Sequence, residues 1–292
     1  MRIVSWNIES LAPWIDGRHD FARHVEMLQY PDVICLQEIR LRPGDRAATD
    51  RARTLLPGYT CHISLSDDPR NVTFRGGRAY GVATYISESC GDTVAATPEW
   101  DREGRVLVTA LPQRLAIVNL YAVNGTAKPY FDPSTGARQG DRHEHKQRFQ
   151  DRLFGLARDL RVDANVVLIG DWNVSRSALD VTPRLRTEEP HATARAQLNA
   201  RLEHEGWIDA FREQHPTARE YTWFGRTRAG GLDAARVDYA VVASEMWPHL
   251  RRAEILGDPA LRRGSDHAPI SITLAIPGAR ERTSHSTETV DF

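Results

Sequence analysis

The chain has 292 residues, 41% of them hydrophobic and 26% charged, with a formal net charge of −1. This is the composition of a soluble globular protein with a substantial core. The charge balance excludes a global basic field for nucleic acid or anionic membrane, so any polyanion site must come from local clustering. Of the 38 basic residues only Lys128 and Lys146 are lysines. Arginine forks suit phosphate, although a genome-wide bias explains such an excess equally well. Cys35, Cys61 and Cys90 lack paired spacing, which points to a reducing compartment without a disulfide framework. No apolar run approaches membrane-spanning length and the N-terminus has no signal-peptide pattern, so the expected location is cytoplasmic, nucleoid-associated if bacterial.

In chain order, residues 2–7 read as a strand ending at Asn7. Phe21, Val25 and Leu28 follow at helical spacing, stopped by Pro31. Residues 32–38 form a second buried strand running into Gln37 and Glu38, and Pro43 opens a helix to about Leu56. Strands are expected at 59–65, 79–86, 105–111 and 115–121, with a tight hairpin at Pro112-Gln113. Residues 124–142 lack apolar periodicity and read as a long surface excursion, functional or mobile. A helix over 144–163 places Phe149, Leu153, Leu156 and Leu160 on one face. Asn165-Val-Val-Leu-Ile-Gly170 then reads as a buried strand delivering Asp171 and Asn173 to one side. A polar loop over 174–194, a helix near 195–205 and strands at 236–242 and 270–274 complete one domain, residues 1–276. The tail, 277–292, is polar, charged and expected to be disordered. Hairpin-like pairs interrupt βαβ alternation, which predicts an α/β (α+β) protein with two face-to-face sheets, antiparallel or mixed, and helices outside.

Six buried strands end in polar residues: Asn7, Gln37-Glu38, Asn119 to Tyr121 with Asn124, Asp171 with Asn173, Asp238, and Asp266-His267. Taken singly, each has an ordinary explanation. An asparagine can be a turn residue, Glu38 can pair with Arg40 or Arg42, Asp238 can neutralise Arg236, and His267 can sit on the surface. Together they suit metal-assisted phosphodiester hydrolysis. Oxygen ligands without cysteine or clustered histidine favour Mg²⁺, or Mn²⁺ as a substitute, over Zn²⁺. Glu38 is the first choice of ligand, and Asp238 beside His267 would hold an imidazole in one tautomer.

The ordered segments Ser5-Trp-Asn-Ile, Ile34-Cys-Leu-Gln-Glu38, Asn119-Leu-Tyr121-x-x-Asn124, Gly170-Asp-Trp-Asn173, Arg236-Val-Asp-Tyr239 and Ser265-Asp-His-Ala-Pro269 resemble the endonuclease/exonuclease/phosphatase superfamily. They are most similar to its exonuclease III branch of abasic-site endonucleases, and Tyr121 stands where other branches usually carry histidine. The resemblance implies a four-layer αββα sandwich of two mixed, mostly antiparallel sheets. It implies a metal site at Glu38 with Asn7 and Asp266 near it. By the same motifs Asp171 activates or orients water, Asn173 fixes the phosphate, His267 oriented by Asp238 donates to the phosphorane, and Tyr121 meets the phosphate or leaving oxygen. Glu9 replaces a frequent Asn or Asp and can approach a metal. Trp223-Phe224 resembles the wall of an abasic pocket, while Ala235 is small where the branch often has tryptophan. Arg138, Arg142 and Lys146, on or beside the excursion, are candidate backbone contacts. The expected activity is abasic-site incision on duplex DNA 5′ to the lesion, with 3′-to-5′ exonuclease or 3′-end repair of blocked termini. The expected state is a monomer without membrane contact. The alternatives are hydrolysis of a non-DNA or small-molecule phosphoester, and a binding protein that has lost catalysis; the intact Glu38, Asp171, Asn173 and His267 argue against the latter.

Overall fold

Alternation along two neighbouring strands sets the layers. From residues 33–37, Val33 and Cys35 enter one core with Ile3, while Ile34 and Leu36 enter another with Trp6. A sheet apolar on both faces must be covered twice, by a second sheet on one side and helices on the other. The computed structural model describes residues 1–68, 70–71 and 80–276. The expected tail, 277–292, and the start of the strand expected from Ala79 lie outside them.

Among the described residues the strands are β1 (Arg2–Asn7), β2 (Val33–Gln37), β3 (Tyr59–Ser64), β4 (Val82–Ser87), β5 (Val94–Ala96), β6 (Val106–Leu111), β7 (Leu115–Tyr121), β8 (Pro129–Phe131) and β9 (Arg138–Asp141). They continue with β10 (Asn165–Asp171), β11 (Val181–Thr182), β12 (Trp207–Asp209), β13 (Trp223–Arg226), β14 (Leu232–Ala235), β15 (Asp238–Ala243), β16 (Leu250–Ile255) and β17 (Ile270–Leu274). The helices are α1 (Ala12–Ile15), α2 (Phe21–Met27), α3 (Arg46–Arg53), α4 (Arg142–Arg161), α5 (His191–His204), α6 (Ala210–Gln214) and α7 (Pro259–Arg262).

Two six-stranded sheets run in the orders β16-β17-β1-β2-β4-β3 and β12-β15-β10-β7-β6-β5. Only β1–β2 and β10–β7 pair in parallel within them, so both sheets are mixed and mostly antiparallel. Residues of α1, α2 and α3 cover the first sheet's outer face, and α4 and α5 cover the second's. This is the expected four-layer αββα sandwich. A polar clasp crosses the inter-sheet core, where the Gln37 amide donates to Asn119 Oδ1 at 2.8 Å. Two of the polar strand-end residues, Gln37 and Asn119, therefore join the sheets.

The excursion at 124–142 holds a hairpin, β8–β9, and the helix after it starts two residues earlier than expected. Asp141 and Glu144 form a capping box that starts α4 at Arg142. A three-stranded sheet, β11-β14-β13, is anchored by an ion cluster beneath it. There the buried Arg236 guanidinium donates to Asp180 at 2.7 Å and to both oxygens of Asp209 at 3.0 and 2.8 Å. Arg236 is thus neutralised by Asp180 and Asp209, which leaves Asp238 for another partner. Cys35 and Cys61 are buried thiols outside any disulfide, and among the described residues no helix is long and apolar enough to cross a membrane.

Candidate functional site

Strand register assembles the centre of the site. On β10, Asp171 lies directly beside Tyr121 of β7 and, on the other side, beside Asp238 of β15. The three side chains therefore form a row across adjacent strand ends. Gly170 makes the close approach possible. Its φ is +149°, and a Cβ there would stand 1.9 Å from the Leu120 carbonyl oxygen. Two residues on, Asn173 takes a left-handed φ of +52°. This turn lets its backbone N–H donate to Asp171 Oδ1 at 2.8 Å and its amide to the Ala122 carbonyl at 2.9 Å.

The first sheet supplies the facing groups. Asn7, at the end of β1, donates through Nδ2 to Glu38 Oε1 and to Asp171 Oδ2, both at 3.1 Å. One amide thus ties the carboxylates of the two sheets together. Glu38 follows β2 with φ +50°, and its other oxygen receives Arg40 at 2.9 and 2.5 Å. Arg40 also reaches Glu9 at 3.4 Å. Burial alone would raise the Glu38 carboxyl, but Arg40, Asn7 and the Tyr121 hydroxyl outweigh it and hold it below its usual range.

His267 completes the row from behind. Its Nδ1 pairs with Asp238 Oδ2 at 2.9 Å, while Nε2 stands 3.9 Å from Asp171 Oδ2 and 3.9 Å from Asp266 Oδ1. The ring is buried, so it is not an ordinary surface histidine. Burial disfavours its charge, yet Asp238, then Asp171 and Asp266, push it up to about 10. Asp171 is raised to about 7 by burial and by Asp238, against the opposing pull of His267. Two titratable groups are thereby set apart at one point, an imidazole that keeps its proton and a carboxylate near neutrality. The fully buried Tyr121 phenol is raised well above its usual value by burial and by Glu38.

The oxygen atoms of Glu38, Asp266, Glu9 and Asn7 supply a candidate divalent-cation site, with no sulfur among the residues lining the cavity. That donor set fits a hard cation. Asp171, Asp238 and His267 also lie within 4.8 Å of one another. Because His267 and Asp238 already bond to each other, that trio is better read as a proton network than as a ligand set.

All these groups except Asn7 and Asp238 line one cavity of ≈ 450 Å³, with Asn124, Trp223 and Ala235. Trp223 donates to Asp266 Oδ2 at 2.8 Å. Phe224 alternates to the far face, outside this cavity, with the Arg262 guanidinium 4.2 Å over its ring. Of the three candidate backbone contacts, Arg138 is exposed on β9. Arg142 is buried and paired with Glu103 at 3.0 Å, so its charge is spent internally. Lys146 is also buried, on the same face of α4, and donates to the Asn173 carbonyl at 2.6 Å inside the cavity. Arg142 and Lys146, candidate backbone contacts in the sequence, are thus buried on a helix rather than exposed on the excursion. Sequence reasoning also missed Arg105. Its guanidinium is buried 4.0 Å over the Tyr80 ring and 4.8 Å from that of Tyr121, and it bonds Glu103 at 2.5 Å. Only Gly104 before it, at φ +66°, hinted at a special position.

A carboxylate for water, a charged imidazole, paired amides and an oxygen-lined cation site at one sandwich edge are the parts of a phosphoester hydrolase. Residues 4–267 match the Endonuclease/Exonuclease/phosphatase family, and the chain belongs to it. It is 28% identical over 94% of its length to the DNA repair nuclease APEX1 of Danio rerio, covering 83% of that protein. It is 22% identical over 94% of its length to an exodeoxyribonuclease of Streptococcus pneumoniae, covering 99% of it. Among solved structures, the APE2 catalytic domain of Xenopus laevis superposes with a TM-score of 0.71 at 23% identity, over 94% of this chain and 91% of that one. The 3′ phosphatase NExo from Neisseria, bound to a product DNA hairpin, gives 0.69 at 24% identity, over 94% and 99%. Both share the fold.

Proposed function

We propose that this protein is a divalent-metal-dependent DNA phosphodiesterase. In this reading it is an intracellular, monomeric abasic-site endonuclease that cuts duplex DNA 5′ to the lesion and leaves a 3′-hydroxyl. Exonuclease action from 3′ to 5′, or removal of 3′-blocking groups, would use the same site. The observation that carries the reading is the Tyr121–Asp171–Asp238 row, with His267 bonded to Asp238 and Asn7 bridging Asp171 to Glu38. The names of the curated relatives support DNA as the substrate.

Each residue then has a task. Asp171, ionised near neutrality, takes the proton of the attacking water. Asn7 and the Asn173 backbone hold its two oxygens in place. Asn173 and Asn124 orient the phosphate. His267 keeps a proton at Nε2 and donates it as a hydrogen bond to the phosphorane oxygen, its charge supported by Asp238. Tyr121, whose hydroxyl meets Glu38 in the free site, would offer it to the phosphate or to the leaving oxygen. A cation, Mg²⁺ with Mn²⁺ as substitute, would be held by Glu38 and Asp266 with Asn7 and Glu9 alongside, and would supply charge stabilisation to the phosphoryl oxygens.

A second reading, a small-molecule phosphoesterase of the same family, draws on the ≈ 450 Å³ cavity and the small wall residue Ala235. One substrate panel separates the two: abasic duplex, intact duplex, single-stranded DNA, RNA and small phosphodiesters, each with Mg²⁺, Mn²⁺ or chelator. Metal-dependent incision of abasic duplex in preference to the rest supports the first reading. Preferred turnover of a small phosphoester refutes it.

A further inference from the structure

The cavity has a second wall that none of these roles uses. Arg184, Arg186 and Arg195 line it together with His191 and the buried Lys146. Arg184 and Arg186 belong to the exposed loop after β11, and Arg195 to the second turn of α5. Several half-buried and buried arginines are paired with carboxylates, as Arg40, Arg105, Arg176 and Arg236 are, whereas Arg2 and Arg148 bond neutral oxygens. This wall is of the second kind. Among the described residues, the guanidinium groups of Arg184 and Arg186 have no partner within hydrogen-bond distance. Arg195 reaches only backbone carbonyls, those of Ser175 at 3.4 Å and of Arg186. Lys146 likewise donates to a carbonyl.

The cations on this wall therefore have no bonded counter-charge, although Glu188 lies near enough to Arg184, and Asp171 to Lys146, to interact with them through space. The cavity's carboxylates Glu9, Glu38, Asp171 and Asp266 come from the strand ends, and Asp233 from β14. A neighbouring group registers the excess. His191 is held below its usual range by burial and then by Arg186, Lys146 and His143, with Glu188 opposing. The wall also abuts the reaction centre, because Ser175, which Arg195 contacts, lies two residues past Asn173. The same cavity is also lined by Trp223, Val181, Leu185 and Ala235, which supply apolar surface that suits a sugar or base.

Unpaired planar forks around a cavity select an anion with several oxygens, and phosphate matches them in both geometry and charge. We propose that Arg184, Arg186 and Arg195 form a second phosphate subsite, so that the unit held in the cavity carries a phosphate at each end, the scissile one at Asp171 and its neighbour on the arginine wall. This deepens the nuclease reading and rests on it for the identity of the scissile group. The ligand chemistry is a phosphate ester one nucleoside away from the reacting one. Its source is either a terminal phosphate or the next diester of a strand.

Binding of short ligands in chelator tests the proposal without turnover. The set is a dinucleoside monophosphate, the same molecule with a 5′- or a 3′-terminal phosphate, and a trinucleoside diphosphate. At least one two-phosphate ligand should bind the wild-type protein about tenfold more tightly than the dinucleoside monophosphate. That advantage should vanish in the Arg184→Gln/Arg186→Gln/Arg195→Gln protein. The pair Arg184→Gln/Arg186→Gln alone, both exposed and without side-chain bonds to lose, should remove most of it. The salt slope of log K should fall by about 0.7 for each contact removed. A gain with the terminally phosphorylated ligands alone assigns the wall to strand ends, and a gain with the trinucleoside diphosphate assigns it to an internal diester. Equal affinity for all four ligands, or an advantage that survives the triple substitution, overturns the proposal. Failure of the nuclease reading appears elsewhere, as absence of cleavage of every DNA when metal is restored.

Discussion

Replacing Asp238 with asparagine should slow cleavage by a factor between about 10 and about 10⁴ and displace both limbs of the pH profile toward acid. Asparagine keeps the shape and can still accept from His267, so the 2.9 Å contact survives while its charge is lost. A hydrogen bond to a charged group contributes about 1.5–3 kcal/mol. This sets the lower bound, since about 1.4 kcal/mol is one decade of rate. The Coulomb attraction of a full charge pair at that distance, with an effective dielectric constant near 20, is about 6 kcal/mol, which sets the upper bound. Now the sign. His267 must hold its proton to stabilise the phosphorane, so activity is present below its folded pKa and lost as pH rises through it. That pKa stands up to about 10 because Asp238 overcomes burial; without the charge, the alkaline limb moves down. Asp171 must be ionised, so activity appears as pH rises through its value of about 7, which burial and then Asp238 have raised. Removing Asp238 moves that limb down as well. A bound cation acts on wild type and variant alike, so the difference between their profiles reads Asp238. The assay is single-turnover cleavage across the accessible pH range, with a binding isotherm under non-cleaving conditions as control. A variant slowed at every pH with unmoved limbs would refute the reasoning and reduce Asp238 to a packing residue.

Glu38→Gln should lower divalent-cation affinity at least about tenfold, with activity partly recovered at high Mg²⁺; an unchanged calorimetric affinity would remove Glu38 from the ligand set. Trp223→Ala loses both a cavity wall and the 2.8 Å bond that holds Asp266. It should harm abasic-site incision more than exonuclease action on a frayed 3′ end, and equal losses on the two substrates would mark it as packing. Gly170→Ala must move either the new methyl or the Leu120 carbonyl, 1.9 Å apart as built. It should cost about 3 kcal/mol, lower Tm by several degrees and reduce activity even in the folded fraction, because Asp171 is displaced with it. A wild-type Tm would show that the strand end is not fixed as described.

The strand ends were legible because their residues are local. Asp171, Asn173 and Glu38 each follow an apolar run within a few positions and His267 stands just before one, and a buried strand flanked by polar groups stands out in one dimension. The outer elements were not. In β16, Leu250-Arg-Arg-Ala-Glu-Ile, a register shift between Leu250 and Arg252 breaks the alternation that would announce a strand. The β13–β14 pair is short and carries Gly225 and two alanines, residues with little strand preference. Helix α5 begins at His191 after Pro190 with no side-chain cap, so nothing marked its start. The fate of Arg142 was half visible. Asp141-x-x-Glu144 is a capping box, and reading it would have placed Arg142 and Lys146 at i and i+4 on one inward face of a helix. Their partners were not visible, because Glu103 lies 39 residues away from Arg142 and meets it only through the fold.

The same distinction explains why the arginine wall escapes a motif reading while the reaction centre does not. The centre depends on register. Shifting β10 by one residue against β7 would turn Asp171 to the other face, so strand and site are specified by one pattern. The wall depends on where a loop folds back. Arg184 and Arg186 follow two strand residues that, among the described residues, pair only with β14, and they line the cavity with Ala235, where β14 ends three residues before Asp238. A bulky residue at 235 would occupy the space that alanine leaves, so the size of that residue and the charge of the loop facing it act on the same volume. On the proposed reading, chemistry is therefore set by strand ends fixed in register, and selectivity by a loop and a small residue outside that register.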